Sequence, residues 1–259
     1  MLWVRFSHDG VEGFGTLADN VVAVHEGDMF AGAAPTGKTL GLDAVTLLAP
    51  VRPGKFIGLW NNFHAVATKQ GNAIPTFPLY FLKATSSIIG PEAAFRRPRA
   101  YAGRVVYEGE LGVVIGQTCT DVSEDEAVSR IFGYTCVNDI TAADIFNAGP
   151  EFPSFPQWAR AKGFDGFGPI GPGIATGIDP MTALVKVALD GRERQNYPLA
   201  DMILPPARIV ALLSQEMTLH PGDLIACGTS VNLLPMQPRM EVTVTIDGIG
   251  VLRNRFAAE

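Results

Sequence analysis

Apolar and polar positions alternate with a period of two along most of this chain, and a helical period stands out in two places. Val4–Phe6, Gly13–Leu17 and Val21–Val24 read as short strands separated by Gly, Asp and Asn turns, so residues 1–50 are expected to form a small β-rich domain. Pro50-Val-Arg-Pro-Gly54 punctuates the chain, and a larger domain is expected over 51–259. One helix is predicted to open after Ser123, whose Ser-x-x-Glu126 spacing is a capping box, and to run to Phe132. A second follows Pro205-Pro206, carries Ile209, Leu212, Leu213 and Met217 on one face, and ends near His220-Pro-Gly222. The tail alternates through Val242, Val244 and Ile246 and predicts a hairpin turning at Asp247-Gly248. The class expected from these elements is α+β, with strands dominant and helices flanking them.

The run Val105–Ile115 also alternates, and it carries two glutamates, Glu108 and Glu110, one residue apart. In a strand both carboxylates share a face, while Leu111, Val113 and Ile115 form a core-facing row on the other. Taken alone, such a pair reads as a solvated outer face. Two carboxylates this close repel unless a cation or a proton sits between them. Some thirty residues on, the strand-like run Tyr134–Asn138 ends in Asp139. Should Asp139 meet the pair in space, three carboxylates form an oxygen cage suited to Mg²⁺, Mn²⁺ or Ca²⁺.

The net charge of −6 argues against nucleic acid as a partner. With 47% hydrophobic and 18% charged residues, the chain supports a substantial core and reads as burying further area in an oligomer. Cys119, Cys136 and Cys227 are widely spaced and sit in apolar runs, so neither a disulfide framework nor a zinc site is expected. Charge interrupts the first residues too early for a signal peptide, and no apolar run reaches the length of a membrane span. A cytoplasmic protein with no membrane partner is the expectation.

Gly32–Thr39 matches the phosphate-binding pattern G-x-x-x-x-G-K-[ST] in full. That loop needs a buried strand before it and a helix after it, so that backbone N–H groups cradle the phosphates. Acids precede it here and a glycine-broken, proline-terminated stretch follows, so a surface turn is expected instead. Gly166–Gly173 also lacks the strand-to-helix context, and its prolines remove N–H donors; a rigid loop beside the site is expected there.

Stretches in order over residues 50 to 255 resemble the fumarylacetoacetate hydrolase family. They are Phe56–His64, Tyr80–Gly90, the glutamate strand, Gly133–Asp139, the segment around Lys162, Asp223–Thr229 and Ile246–Asn254. The resemblance implies a mixed β-roll, barrel-like, with flanking helices, usually paired as a homodimer. It implies a divalent ion, Mg²⁺ in the first instance, on Glu108, Glu110 and Asp139, with His64 as general base and Lys162 as a cation facing the developing anion. Thr229 would donate to a substrate carboxylate, with close approach allowed by Gly228.

The implied substrates are small β-diketo or unsaturated 2-oxo acids and diacids of aromatic-compound breakdown. The implied chemistry is hydrolysis, isomerisation or decarboxylation through a metal-bound enolate. A hydratase of 2-oxo-4-pentenoate type is the rival enzyme reading, and a relative that binds metal and oxo acids without turnover is the non-enzyme one. The chain also departs from the family pattern. Ala67 stands where an acid orients the histidine, and Ala143 and Phe146 replace an arginine and a glutamine, while Asp144 is kept. These departures shift weight from water activation towards isomerisation or decarboxylation.

Overall fold

Strands dominate the computed structural model, which describes residues 1–146 and 157–258. In chain order the longer ones are β1 (Leu2–His8), β2 (Val11–Ala18), β3 (Val21–Glu26), β4 (Ala34–Gly41), β5 (Phe56–Trp60), β6 (Leu79–Lys83) and β7 (Gly109–Ile115). They continue as β8 (Ile131–Asn138), β9 (Gly168–Ala175), β10 (Leu184–Leu189), β11 (Arg192–Pro198), β12 (Leu224–Ala226), β13 (Glu241–Ile246) and β14 (Gly250–Phe256). A twelve-stranded sheet runs β4-β3-β2-β1-β9-β8-β7-β12-β5-β6, with two short strands beside this path. The first fifty residues are hydrogen-bonded into this same sheet, with Leu2 opposite Ala175 on β9. A five-stranded sheet, β11-β10-β13-β14 and then Ala94–Phe95, lies against it. The expected α+β class with flanking helices holds; the large sheet has β4 and β6 at its two ends and does not close into a complete barrel.

Because the small sheet covers the large one, β7 is buried along its whole length. Leu111, Val113 and Ile115 enter the main apolar cluster, while Val114 enters a second one with Phe56, Val137 and Ile170. Glu110 shares the parity of Val114, so its face is interior, not solvent. Gly109, between the two glutamates, is required by the close approach of the small sheet: a Cβ there would lie 2.3 Å from Val187 on β10. The expected single strand over Val105–Ile115 is broken at Tyr107-Glu108. Val105–Val106 leaves to pair with Thr141–Ala142 and Pro235–Met236, which tilts Glu108 out of the ladder.

Five helices are described: α1 (His64–Gln70), α2 (Glu124–Arg130), α3 (Ala143–Phe146), α4 (Trp158–Lys162) and α5 (Pro206–Glu216). The capping box of α2 forms in both directions, the Ser123 backbone N–H donating to Glu126 and the Glu126 N–H to the Ser123 hydroxyl. The helix ends two residues earlier than predicted because Ile131 already opens β8. Helix α5 ends at Glu216 and buries Ile209, Val210 and Leu213, and the tail hairpin turns at Asp247-Gly248 as read.

Two loop readings need correction. Gly168–Ala175 is a central strand; a register irregularity between Tyr134 and Cys136 accommodates Pro172 where no ladder N–H is needed. Gly32–Thr39 falls largely in the exposed end strand β4 rather than in a turn, and only a three-residue helical turn follows, so no phosphate cradle forms. No described helix is long and apolar enough to cross a membrane.

Candidate metal centre

Pairing of β7 with β8 puts Gly109 opposite Asn138, which brings Glu108, Glu110 and Asp139 to one end of the sheet. The Asp139 N–H donates to the Glu108 carbonyl at 2.8 Å, and the Glu108 N–H donates to Asn138 Oδ1 at 3.1 Å. Carboxylate oxygens from Glu108, Glu110 and Asp139 lie within 4.8 Å of one another. Glu110 and Asp139 are fully buried, and Glu108 nearly so.

Two lysines close the cluster. Lys162, the last residue of α4, donates to Glu108 Oε2 at 2.7 Å and to Asp139 Oδ2 at 2.5 Å. Lys83, the last residue of β6, donates to Asp139 Oδ1 at 2.5 Å and to the Lys162 carbonyl. Thr141 donates to Glu108 Oε1 at 2.8 Å, and the Gly228 N–H donates to Glu110 Oε2 at 2.7 Å. Gly228 is held at φ +90°, a conformation that suits glycine and turns that N–H inward. The other oxygen of Glu110, Oε1, is buried with no hydrogen-bond partner.

These contacts set the charges. Burial, then repulsion from Asp139 and Glu108, pushes the Glu110 carboxyl well above its ordinary value. Burial also raises Glu108, with Lys162 opposing. Burial would raise Asp139 too, but the combined pull of Lys162 and Lys83 outweighs it and holds Asp139 below its usual range. Lys162, facing all three acids, is raised despite its burial, whereas burial beside a second ammonium lowers Lys83. Lys162 is therefore the cation that these contacts hold charged, and Glu110 the acid whose proton is lost least readily.

The donor set fits a hard divalent cation. It is all oxygen, and the orphaned Glu110 Oε1 is a buried acceptor that a cation would satisfy. Binding a cation there requires Glu110 to ionise, so the proton and the ion compete. Affinity for Mg²⁺ should accordingly rise with pH, by about one decade per pH unit below the raised Glu110 value, and level off above it. Calorimetric titration across a pH series checks this; an affinity flat from the ordinary carboxylate range upward would contradict it.

A cavity of about 460 Å³ opens onto the cluster and is lined by Glu108, Thr141, Phe146 and Thr229 among others. Thr229 Oγ1 donates to the Gly109 carbonyl at 3.0 Å and receives the Gln195 amide at 3.2 Å. The structure thus brings together Glu108, Glu110, Asp139, Lys162, Gly228 and Thr229. It does not bring His64 to them: His64 is exposed at the first position of α1, outside the cavity lining, with no hydrogen bond among the described residues. Ala67, one turn on, is buried against the core.

The sequence reading gave Lys83, Thr141 and Asn138 no role. Lys83 carried a signal in its parity, since it lies two residues from inward-facing Phe81 with exposed Leu82 between them.

Residues 55–257 match the family described as fumarylacetoacetate (FAA) hydrolase, C-terminal, and residues 1–50 match one described as Rv2993c-like, N-terminal. The chain is 39% identical over 222 residues to protein Rv2993c of Mycobacterium tuberculosis, covering 85% of this chain and 81% of that protein. It superposes on the 5-carboxymethyl-2-hydroxymuconate delta-isomerase of Mycobacterium smegmatis with TM-score 0.91 at 32% identity, over 100% of both chains. On the 2-hydroxyhepta-2,4-diene-1,7-dioate isomerase of Mycobacterium marinum the TM-score is 0.89 at 34% identity, over 99% and 98% of the chains.

Proposed function

The chain belongs to the fumarylacetoacetate hydrolase family, and from that premise we propose that it is a Mg²⁺-dependent enzyme that isomerises an unsaturated or β-keto 2-oxo acid. The observation that carries the reading is the buried carboxylate cluster with its orphaned Glu110 oxygen, opening onto a cavity. Glu108, Glu110 and Asp139 would hold the ion. When bound, it supplies a Lewis acid for a carbonyl and a neighbouring carboxylate.

The chain's own residues supply the rest. Lys162 keeps a fixed positive charge where negative charge develops as a proton leaves the carbon next to the carbonyl. Its position is set from two sides, by Glu108 and Asp139, so it needs no reorganisation during the reaction. Thr229 lines the cavity with its hydroxyl held by the Gly109 carbonyl and the Gln195 amide, so donation to a substrate would require it to leave Gly109, and Trp60 and Phe146 give the cavity apolar walls that limit water. His64 stands outside the cavity lining and has no carboxylate partner among the described residues, so nothing orients it to activate water, which favours isomerisation over hydrolysis. The two isomerases among the similar structures support the same choice. The chain is further proposed to work as a homodimer in the cytoplasm.

The test follows the enol absorbance of oxaloacetate and of acylpyruvates with and without Mg²⁺. Loss of the enol band that needs both protein and Mg²⁺, with the carbon skeleton intact by product analysis, is the expected result. Cleaved products would replace isomerisation by hydrolysis or decarboxylation, and no change on any of these acids would remove the reading.

A further inference from the structure

Helix α1 is fixed at both ends. Its Ala65 N–H donates to Asp201 Oδ2 at 3.0 Å, and past its C-terminus Asn72 donates to Asn61 Oδ1 at 3.2 Å and to Gln70 Oε1 at 2.9 Å. Asn61, buried and at φ +58°, donates in turn to the Ala73 carbonyl at 3.1 Å. This clamp holds the last turn of α1, with Lys69 and Gln70, along the cavity that opens onto the carboxylate cluster.

Two cationic side chains line that cavity, Lys69 and Arg104. Arg104 is neutralised: its Nε and Nη2 both donate to Asp144 Oδ1, at 2.8 and 2.6 Å, and its backbone N–H donates to Oδ2. Lys69 is exposed and makes no hydrogen bond or ion pair with any described residue. It is the uncompensated positive charge of the cavity lining, and it takes no part in the ion pairs among Lys83, Lys162, Glu108 and Asp139. A cation in the last turn of a helix also suits the helix dipole, which would give Lys69 a purely structural role.

Resting on the reading of the site as one for 2-oxo acids, we infer that Lys69 is a specificity-determining residue that recognises a second anionic group on the ligand, a carboxylate remote from the 2-oxo end. The cavity then takes dicarboxylates in preference to monocarboxylates. The remote carboxylate meets a mobile point charge with three donors, and Arg104 does not compete for it because Asp144 occupies its fork.

The test measures binding of 2-oxoadipate and 2-oxohexanoate to the full chain in Mg²⁺ by calorimetry. The two acids share a carbon chain and differ at its end, a carboxylate in one and a methyl in the other. Wild type should prefer the diacid by about tenfold, the scale of one partly exposed charge-assisted hydrogen bond. Lys69→Met should lose that preference without weakening the monoacid, Lys69→Arg should keep it, and Lys69→Glu should reverse it. Equal weakening of both acids in Lys69→Met would assign Lys69 to helix support and overturn the inference, as would an unchanged preference. Binding of neither acid to wild type would overturn the 2-oxo acid reading and this inference together; binding of both without dependence on Lys69 overturns this inference alone.

Discussion

Lys162→Met should destabilise the metal-free protein by about 3–5 kcal/mol, the usual cost of breaking a buried ion pair from one side. The lysine is 2% exposed and bridges Glu108 and Asp139. Without it Glu108 keeps only the Thr141 hydroxyl on its side chain, and Asp139 keeps Lys83. A methionine fills the stem's volume but returns no charge. A divalent ion restores positive charge to the same carboxylates, so Mg²⁺ should stabilise this variant more than it does wild type. Urea unfolding with and without Mg²⁺ reads both effects. Turnover should fall by about 10²–10³-fold even with the ion bound, the scale of losing one preorganised electrostatic donor. A variant as stable as wild type without metal would contradict the account of the cluster.

Asp139→Ala should be as costly to the fold, but Mg²⁺ should not rescue it. Asp139 is fully buried and is the side-chain acceptor that Lys83 and Lys162 share. Its loss leaves Lys83, already lowered by burial, without a carboxylate, and Lys162 with Glu108 alone. Stranding a buried ammonium costs about 3–5 kcal/mol, reduced to the extent that Lys83 becomes neutral. The substitution also removes one of the three carboxylates proposed to hold the ion, so Mg²⁺-dependent turnover should disappear. The two variants differ in kind: the first is a stability defect that metal repairs, the second a defect that metal does not repair. Rescue of Asp139→Ala by Mg²⁺ to the wild-type level would place the ion elsewhere.

Local signals in the chain proved readable where local physics decides them. Ser123 and Glu126 cap α2 through bonds three residues apart, and the tail alternates because one of its faces meets the core. The glutamate pair was legible as a candidate site because two carboxylates on one strand face need compensation wherever that face points. That the face is interior was not legible, since it depends on the small sheet covering β7, which no local pattern encodes. The break at Tyr107-Glu108 arises from pairing with residues 141–142 and 235–236, distant in sequence. Gly168–Ala175 was hidden because its prolines argue against a strand; Pro169 pairs opposite Ile89, and a register irregularity with β8 admits Pro172. Lys83 went unread although its parity marked it. A lone lysine at a strand end normally faces water, and Asp139, 56 residues away, together with the Lys162 carbonyl holds this one inside.

The most direct test of the central claim is to crystallise the protein with Mn²⁺ and locate the ion from its anomalous scattering. The account predicts one ion per chain in contact with Glu108, Glu110 and Asp139, satisfying the Glu110 oxygen that otherwise has no partner. Saturating Mn²⁺ with no ion at these carboxylates, and the Lys162 ion pairs unchanged, would contradict it.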